Sequence, residues 1–478
     1  MSNTSTESSK ASQSANDGSR VGFWEKTALG SGFLAVFFGT AGVKGFAIPV
    51  YQMTMGVNPA LLGLVLALPS FWDAITDPIA GYVSDNLKTR WGRRKPMIVL
   101  GAVLQAIAFG AIWMVPSGFS ETQSVVYLAV TLIAFYTCFT IFSVPLMSLT
   151  YEMTPDYNER TRVASFGAFF SKIGEFLYQG MFPLAGMLVV WGLVSEGNSV
   201  LVVGWLVGIL ILGTVGVLPG LFVKERYFKK ATQQKKVRLW PSVKATWKNK
   251  AFLVLVGLTL CQVLAGMVAS STDYYLLVYY MCDGDIVVGS NWKWVLSVGY
   301  AAVGLAWIYP INWLSSRYGK SVTMAVIFAL VLVGAIVKWY VYTPGNMWKI
   351  LIDPIFCGPV WMALSILTPS MFADICDDDE LRHGFRREGM FGAVFSFLQK
   401  FGFSLAFFGT GLALNWAGFN EELGGNQSEE TILSLRLFLS ISTAIWALFA
   451  IVLLFAYPIS KKRAYEIRAE LEARRGTI

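Results

Sequence analysis

Long apolar runs such as Leu201–Val223 and Ile432–Tyr457 constrain this 478-residue chain more than any other feature. Each is long enough to cross about 30 Å of hydrocarbon as a helix. Inside lipid every backbone N–H and C=O must be bonded internally, so such runs are confined to a helical bundle. Hydrophobic residues make up 55% of the sequence and charged residues only 14%, too few to keep so much apolar surface in water. Twelve spans fit, at about 27–52, 59–84, 97–117, 124–150, 162–191, 199–223, 250–281, 292–314, 321–342, 348–371, 389–416 and 431–457.

Basic residues alternate along the loops. Segment 85–96 carries Lys88, Arg90, Arg93, Arg94 and Lys95, and 224–250 and 461–475 are also strongly basic, whereas 53–59, 117–124, 192–199 and 281–291 carry none. This positive-inside pattern accounts for the net charge of +8, excludes a nucleic-acid role and places both termini in the cytoplasm. The expected organisation is therefore a disordered cytoplasmic tail (1–22), an N-terminal six-helix bundle (23–223), a cytoplasmic central loop (224–249), a C-terminal six-helix bundle (250–458) and a cytoplasmic C-terminal tail (459–478). In that last tail, the basic amphipathic stretch Ser460–Arg475 is expected along the inner leaflet. No secretory signal is apparent. A weak echo between Ser84-Asp85…Arg90-Trp91-Gly92-Arg93-Arg94-Lys95 and Ser315-Ser316-Arg317-Tyr318-Gly319-Lys320 suggests duplication. The fold class is an all-α membrane protein of twelve transmembrane helices in two pseudo-symmetric halves, with a site expected near the midplane.

Five scattered cysteines and a single histidine, His383, offer no metal-ligand spacing and read as structural. No Gly-x-x-x-x-Gly-Lys segment is present, so ATP is not the energy source, and neither an enzyme nor a cofactor is implied. What does demand a function is Trp72-Asp73-Ala74-Ile75-Thr76-Asp77-Pro78, two carboxylates inside an apolar helix. A spacing of four puts Asp73 and Asp77 on one helix face. Two acids so close repel unless a cation or a proton lies between them, which makes this a candidate site for Na⁺ or H⁺. A pairing of either acid with Lys44 or Lys400 is the plainer alternative.

These motifs carry a resemblance. Asp73…Asp77-Pro78…Gly81…Ser84-Asp85 followed by Thr89-Arg90-Trp91-Gly92-Arg93-Arg94-Lys95-Pro96 resembles the glycoside–pentoside–hexuronide:cation symporter family, the melibiose-permease-like branch of the major facilitator superfamily. Further agreement comes from Ala373-Asp374-Ile375, Gly384-Phe385-Arg386-Arg387-Glu388-Gly389, Lys400 and Tyr274-Tyr275…Tyr279. The resemblance implies a cation site of Asp73, Thr76, Asp77 and Thr140, an oxygen set suited to a hard cation such as Na⁺.

The family's sugar site fits less well. Gly45, Ser143, Met147 and Ala168 stand where the resemblance implies two acids, a tryptophan and an arginine, which argues against melibiose. In their place span 5 offers Lys172, Glu175 and Gln179, at helical spacing on one face; the alternative is a purely internal Lys172–Glu175 pair. Candidate substrate contacts are thus Lys44, Ser143, Lys172, Glu175, Gln179, Asp273, Tyr274, Trp361 and Lys400. Fewer pocket acids beside three lysines favour an anionic substrate such as a uronide or sulfated sugar, although Glu175 would cancel Lys172. Lys338 and Asp353, near span ends, read as snorkelling side chains. Asp85, Arg90, Arg93, Arg94, Asp374, Arg386 and Arg387 are candidate gating charges, with Asp377-Asp378-Asp379-Glu380 beside them; a solvated charge run is the alternative.

Together these readings predict a secondary active transporter that imports a sugar, glycoside or uronide with Na⁺ or H⁺ by alternating access. A lysolipid or other amphiphile carried on the same fold is the second reading, and a non-transporting sensor the third. The expected setting is a multi-pass protein of the plasma membrane, bacterial inner membrane, acting as a monomer on a small-molecule substrate in the lipid bilayer.

Overall fold

A computed structural model describes residues 21–87, 89–153, 157–225, 249–383, 388–420 and 423–475. Its helices are α1 (Phe23–Thr54), α2 (Pro59–Asn86), α3 (Lys95–Ile112), α4 (Glu121–Glu152), α5 (157–190), α6 (Glu196–Phe222), α7 (Lys250–Met281), α8 (286–318), α9 (Lys320–Val341), α10 (Met347–His383), α11 (Glu388–Trp416), α12 (Glu429–Phe455) and α13 (Lys461–Arg475). Eleven are long and apolar enough to cross a membrane, and α8, bent by 42° at Trp307, makes up to twelve. Among the described residues there is no strand, only the isolated bridge Thr89–Gly92. Most of the expected disordered tail and of the central loop lies outside the described residues, as do Lys88, Arg386 and Arg387.

Helix ends follow local chemistry. Ser120 and Gln123 close a capping box at the start of α4, and Asn249, Asp285 and Ser428 each accept a backbone N–H at the starts of α7, α8 and α12. Prolines set the irregularities. Pro310 cannot donate to the Ala306 carbonyl, which explains the bend in α8. Pro219 likewise leaves the Val215 carbonyl without its helical donor, and the Ser31 hydroxyl of α1 supplies one at 3.3 Å. Two π-helical stretches, Phe38–Gly42 and Ile48–Thr54, flank Lys44 in α1, and another, Leu276–Met281, follows Tyr275 in α7. Such wide turns often mark functional positions.

The chain divides into two compact units, Met1–Val50 with Phe71–Lys235 and Tyr51–Ser70 with Lys236–Ile478. Helices α1 and α2 therefore contribute to both. In the first unit α1 packs on α5 and α6, and α3 on α4. Gly101 permits the closest approach there: a Cβ would lie 2.5 Å from the Phe142 backbone nitrogen. Lys26 pairs with Glu159 at 2.5 Å. Burial pushes the Glu159 carboxyl up, but hydrogen bonds from Lys26 and the Val21 N–H outweigh it and hold the group below its ordinary value.

The second unit has a core of α7, α9, α10, α11 and α12 side chains around Phe252, Phe328, Met371 and Phe391. Lys338 and Asp353 do not snorkel. They are 1% and 0% exposed and form a 2.5 Å ion pair, with Tyr300 and Tyr342 donating to the same carboxylate oxygen at 2.8 and 3.1 Å. Helix α10 runs on to His383, so Asp374 and Asp377–Glu380 stand on a helix. Asp378 and Asp379 are buried and pair one turn ahead with Arg382 and His383. The docking of α13 also differs from a helix lying on lipid. Its Ile467 and Leu471 join the core of the second unit, and Lys461 donates to the Ser316 carbonyl at 2.5 Å.

Candidate functional site

Three of the four expected cation ligands meet between α2 and α4. Thr140 donates its hydroxyl to Asp77 Oδ1 at 3.1 Å and lies 3.4 Å from the Thr76 hydroxyl, which bonds back to the Trp72 carbonyl at 3.1 Å. Asp73, one turn before Asp77 on the same face, is buried at 6% exposure. The Trp72 indole N–H donates to the Thr137 hydroxyl at 2.8 Å, one turn before Thr140, and fixes α2 against α4. This bond is an addition to the sequence reading, visible there only as a tryptophan beside the first acid.

The arrangement supplies two carboxylates and two hydroxyls, all oxygen donors. Among the described residues no group of three or more His, Cys, Asp or Glu side chains is placed to hold a metal ion. Hard monovalent cations need no such group and take carboxylate and hydroxyl oxygens readily.

The α5 candidates lie in the same unit. Lys172 and Glu175 pair at 2.5 Å and are each about a quarter exposed. Gln179 donates to the Tyr178 hydroxyl at 2.9 Å. Gly45, next to half-buried Lys44, faces Tyr178: a Cβ there would lie 3.0 Å from two ring carbons and 3.8 Å from Gln179 Oε1. A side chain at 45 would therefore press on the Tyr178 ring, which would have to give by a few tenths of an ångström. Ser143 is half-buried on α4, and Ala168 is exposed on α5.

In the second unit, Asp273 is 2% exposed and is held by Lys293, which also donates to the Ser270 carbonyl at 2.8 Å. Tyr342 lies 3.4 Å from Asp273 and joins it to the Lys338–Asp353 pair. Tyr274 is bonded to Ser290 at 2.6 Å, and its neighbour Tyr275 to Gln52. Trp361 packs on Gly266, where a Cβ would lie 2.5 Å from the indole. The Lys400 carbonyl accepts from Ser70 at 3.1 Å. Lys293, Lys338, Asp353, Tyr300 and Tyr342 were not expected in one network; the only signal in the sequence was charge inside apolar spans.

Among the gating candidates, Arg94 pairs with Asp85 at 3.1 Å and bonds Ser84 at 3.2 Å, while Arg93 lies 3.9 Å from the same carboxylate. Glu225 accepts the backbone N–H groups of Arg93, Arg94 and Lys95 at 2.9, 2.8 and 3.1 Å. A carboxylate thereby caps the positive end of α3. Gly92, at φ +116°, makes room for it. Arg90 is exposed in the turn. Asp374 pairs with Lys320 at 2.5 Å. Gly319, the counterpart of Gly92 in the sequence echo, also takes a positive φ, +92°.

With up to twelve helices long and apolar enough to cross a membrane and a match to a transporter family, the chain is a multi-pass membrane transporter, not an enzyme. The chain belongs to the MFS/sugar transport protein family, whose profile matches residues 28–461. It is 27% identical to an uncharacterized symporter of Synechocystis sp., over 95% of this chain and 97% of that one. It is 24% identical to the isoprimeverose transporter of Lactiplantibacillus pentosus, over 79% and 77%. To the sodium-dependent lysophosphatidylcholine symporter 1 of Xenopus tropicalis it is 23% identical, over 90% and 86%.

Proposed function

We propose that this chain is a cation-coupled symporter importing a sugar, glycoside or uronide. The observation that carries the reading is the Asp77–Thr140–Thr76 cluster, with buried Asp73 one turn away. A cation or proton held there offsets one of the two intramembrane negative charges and relieves their repulsion, and so favours a differently arranged cavity. If the solute binds more tightly with the ion present, linkage requires the ion to bind more tightly with the solute by the same factor. Inward movement of one charge supplies about 2.3 kcal/mol per 100 mV of negative-inside potential.

The coupling ion is Na⁺ or H⁺, with Asp73, Asp77, Thr76 and Thr140 as ligands. For the solute we assign contacts to Lys44, Ser143, Lys172, Glu175, Gln179, Asp273, Tyr274, Trp361 and Lys400. With Lys172 paired to Glu175, the support for an anionic glycoside over melibiose comes from Lys44, Lys400 and the absence of an acid at Gly45. Asp85, Arg90, Arg93, Arg94, Asp374, Arg386 and Arg387 are assigned to gating. The setting is the inner membrane of a bacterium, with both termini cytoplasmic and a monomer as the unit. Transport of a lysolipid is the second reading, favoured by the likeness to the lysophosphatidylcholine symporter.

Calorimetric binding to purified protein, across neutral glycosides, uronides, sulfated sugars and lysolipids with and without Na⁺, tests the proposal. A glycoside or uronide that binds more tightly with Na⁺, or with measurable proton uptake, is the expected result. Lysolipid binding alone would replace it with the second reading.

A further inference from the structure

Three lysines on spans of the second unit each meet a carboxylate: Lys293 with Asp273, Lys338 with Asp353 and Lys320 with Asp374. Arg436 on α12 does not. Its guanidinium, charged under all ordinary conditions, lies 4.2 Å from the centre of the Trp339 ring and 5.7 Å from that of Tyr280. Nη2 donates to the Trp339 carbonyl at 2.6 Å. Among the described residues no carboxylate pairs with it. A fixed cation in a membrane span without a counter-charge is expensive and calls for an anion.

The place of Arg436 names the source of that anion. It lies about two turns into α12 from Glu429. Trp339 is close to the last residue of α9, and Tyr280 to the last of α7, so the three gather at one end of the unit. Tyr340 and Trp348, 69% and 63% exposed, stand at that same end, as the aromatic belt at a membrane surface requires. At this depth the abundant anion is the lipid phosphate. Two aromatic faces hold the guanidinium fork in a fixed plane, and a planar fork matches a phosphodiester with paired hydrogen bonds.

We propose that Arg436, cradled by Trp339 and Tyr280, is a headgroup site for the phosphodiester of an anionic phospholipid, a resident lipid distinct from the transported solute. The site does not depend on the transport reading. Native mass spectrometry of the purified full-length protein in neutral detergent tests it, with dioleoyl-phosphatidylglycerol, dioleoyl-phosphatidylcholine or inorganic phosphate added in turn. The wild type should retain phosphatidylglycerol in preference to the other two. Arg436→Gln should weaken that retention about tenfold. Trp339→Leu, which keeps the charge and the backbone acceptor but removes the nearer aromatic face, should weaken it about threefold. Equal retention of phosphatidylglycerol by the wild type and Arg436→Gln overturns the proposal. Equal retention of phosphatidylcholine also overturns it, as does phosphate alone bound as tightly as the lipid, which would mark a free-anion site. If Arg436→Gln does not fold, unchanged retention in Trp339→Leu is sufficient to reject it.

Discussion

At the scale of single residues, Thr140 connects the two elements of the candidate cation site. Its hydroxyl reaches both Asp77 and Thr76, whereas the acids themselves stand on one helix. Thr140→Val keeps the shape and removes the hydroxyl, so the apparent affinity for the coupling ion should fall about tenfold. Thr140→Ser, which keeps the donor, should stay within about threefold of the wild type. Titration of solute binding against Na⁺ and against pH measures both, and an unchanged ion dependence in Thr140→Val would remove this residue from the site. The acids were legible because charge in an apolar helix is conspicuous. The bond from Trp72 to Thr137 was not, because it depends on the facing of two helices distant in sequence.

At the scale of elements, the helices were readable from apolar length, and their breaks from proline, as Pro310 in α8 shows. Partners were harder. Lys338 and Asp353 looked like span-end residues reaching for water, yet they face each other in the interior of the second unit. Proximity to a helix end in the sequence says nothing about which face the side chain takes. The docking of Ile467 and Leu471 of α13 was equally hidden, since an amphipathic helix covers protein or lipid with the same pattern. The α9–α10 pair makes a prediction of its own. Asp353→Leu leaves a buried ammonium uncompensated and should cost about 3–5 kcal/mol of stability. Lys338→Met combined with Asp353→Leu should recover part of it, because both charges are then gone while the Tyr300 and Tyr342 hydroxyls still lose their acceptor. Thermal unfolding in detergent reads both variants, and a double variant as unstable as the single one would contradict this account of the pair.

At the scale of the whole molecule, the chain is a multi-pass transporter of the MFS/sugar transport protein family, in which we propose that Asp73 and Asp77 couple an ion to a solute. Family and fold were legible because the requirement to bond every backbone group in lipid leaves few architectures, and because the acid and basic motifs around α2 are distinctive. The solute was less so: Gly45, Ser143 and Ala168 lack the charged groups that the resemblance implies at those positions, without dictating a replacement. The most direct measurement is uptake into proteoliposomes of the solute identified by calorimetry, driven by an imposed Na⁺ or H⁺ gradient. The wild type should concentrate the solute, whereas Asp73→Cys and Asp77→Cys, folded and inserted, should fail to move it against its own gradient. If both variants still concentrate it, the two carboxylates are not the coupling site.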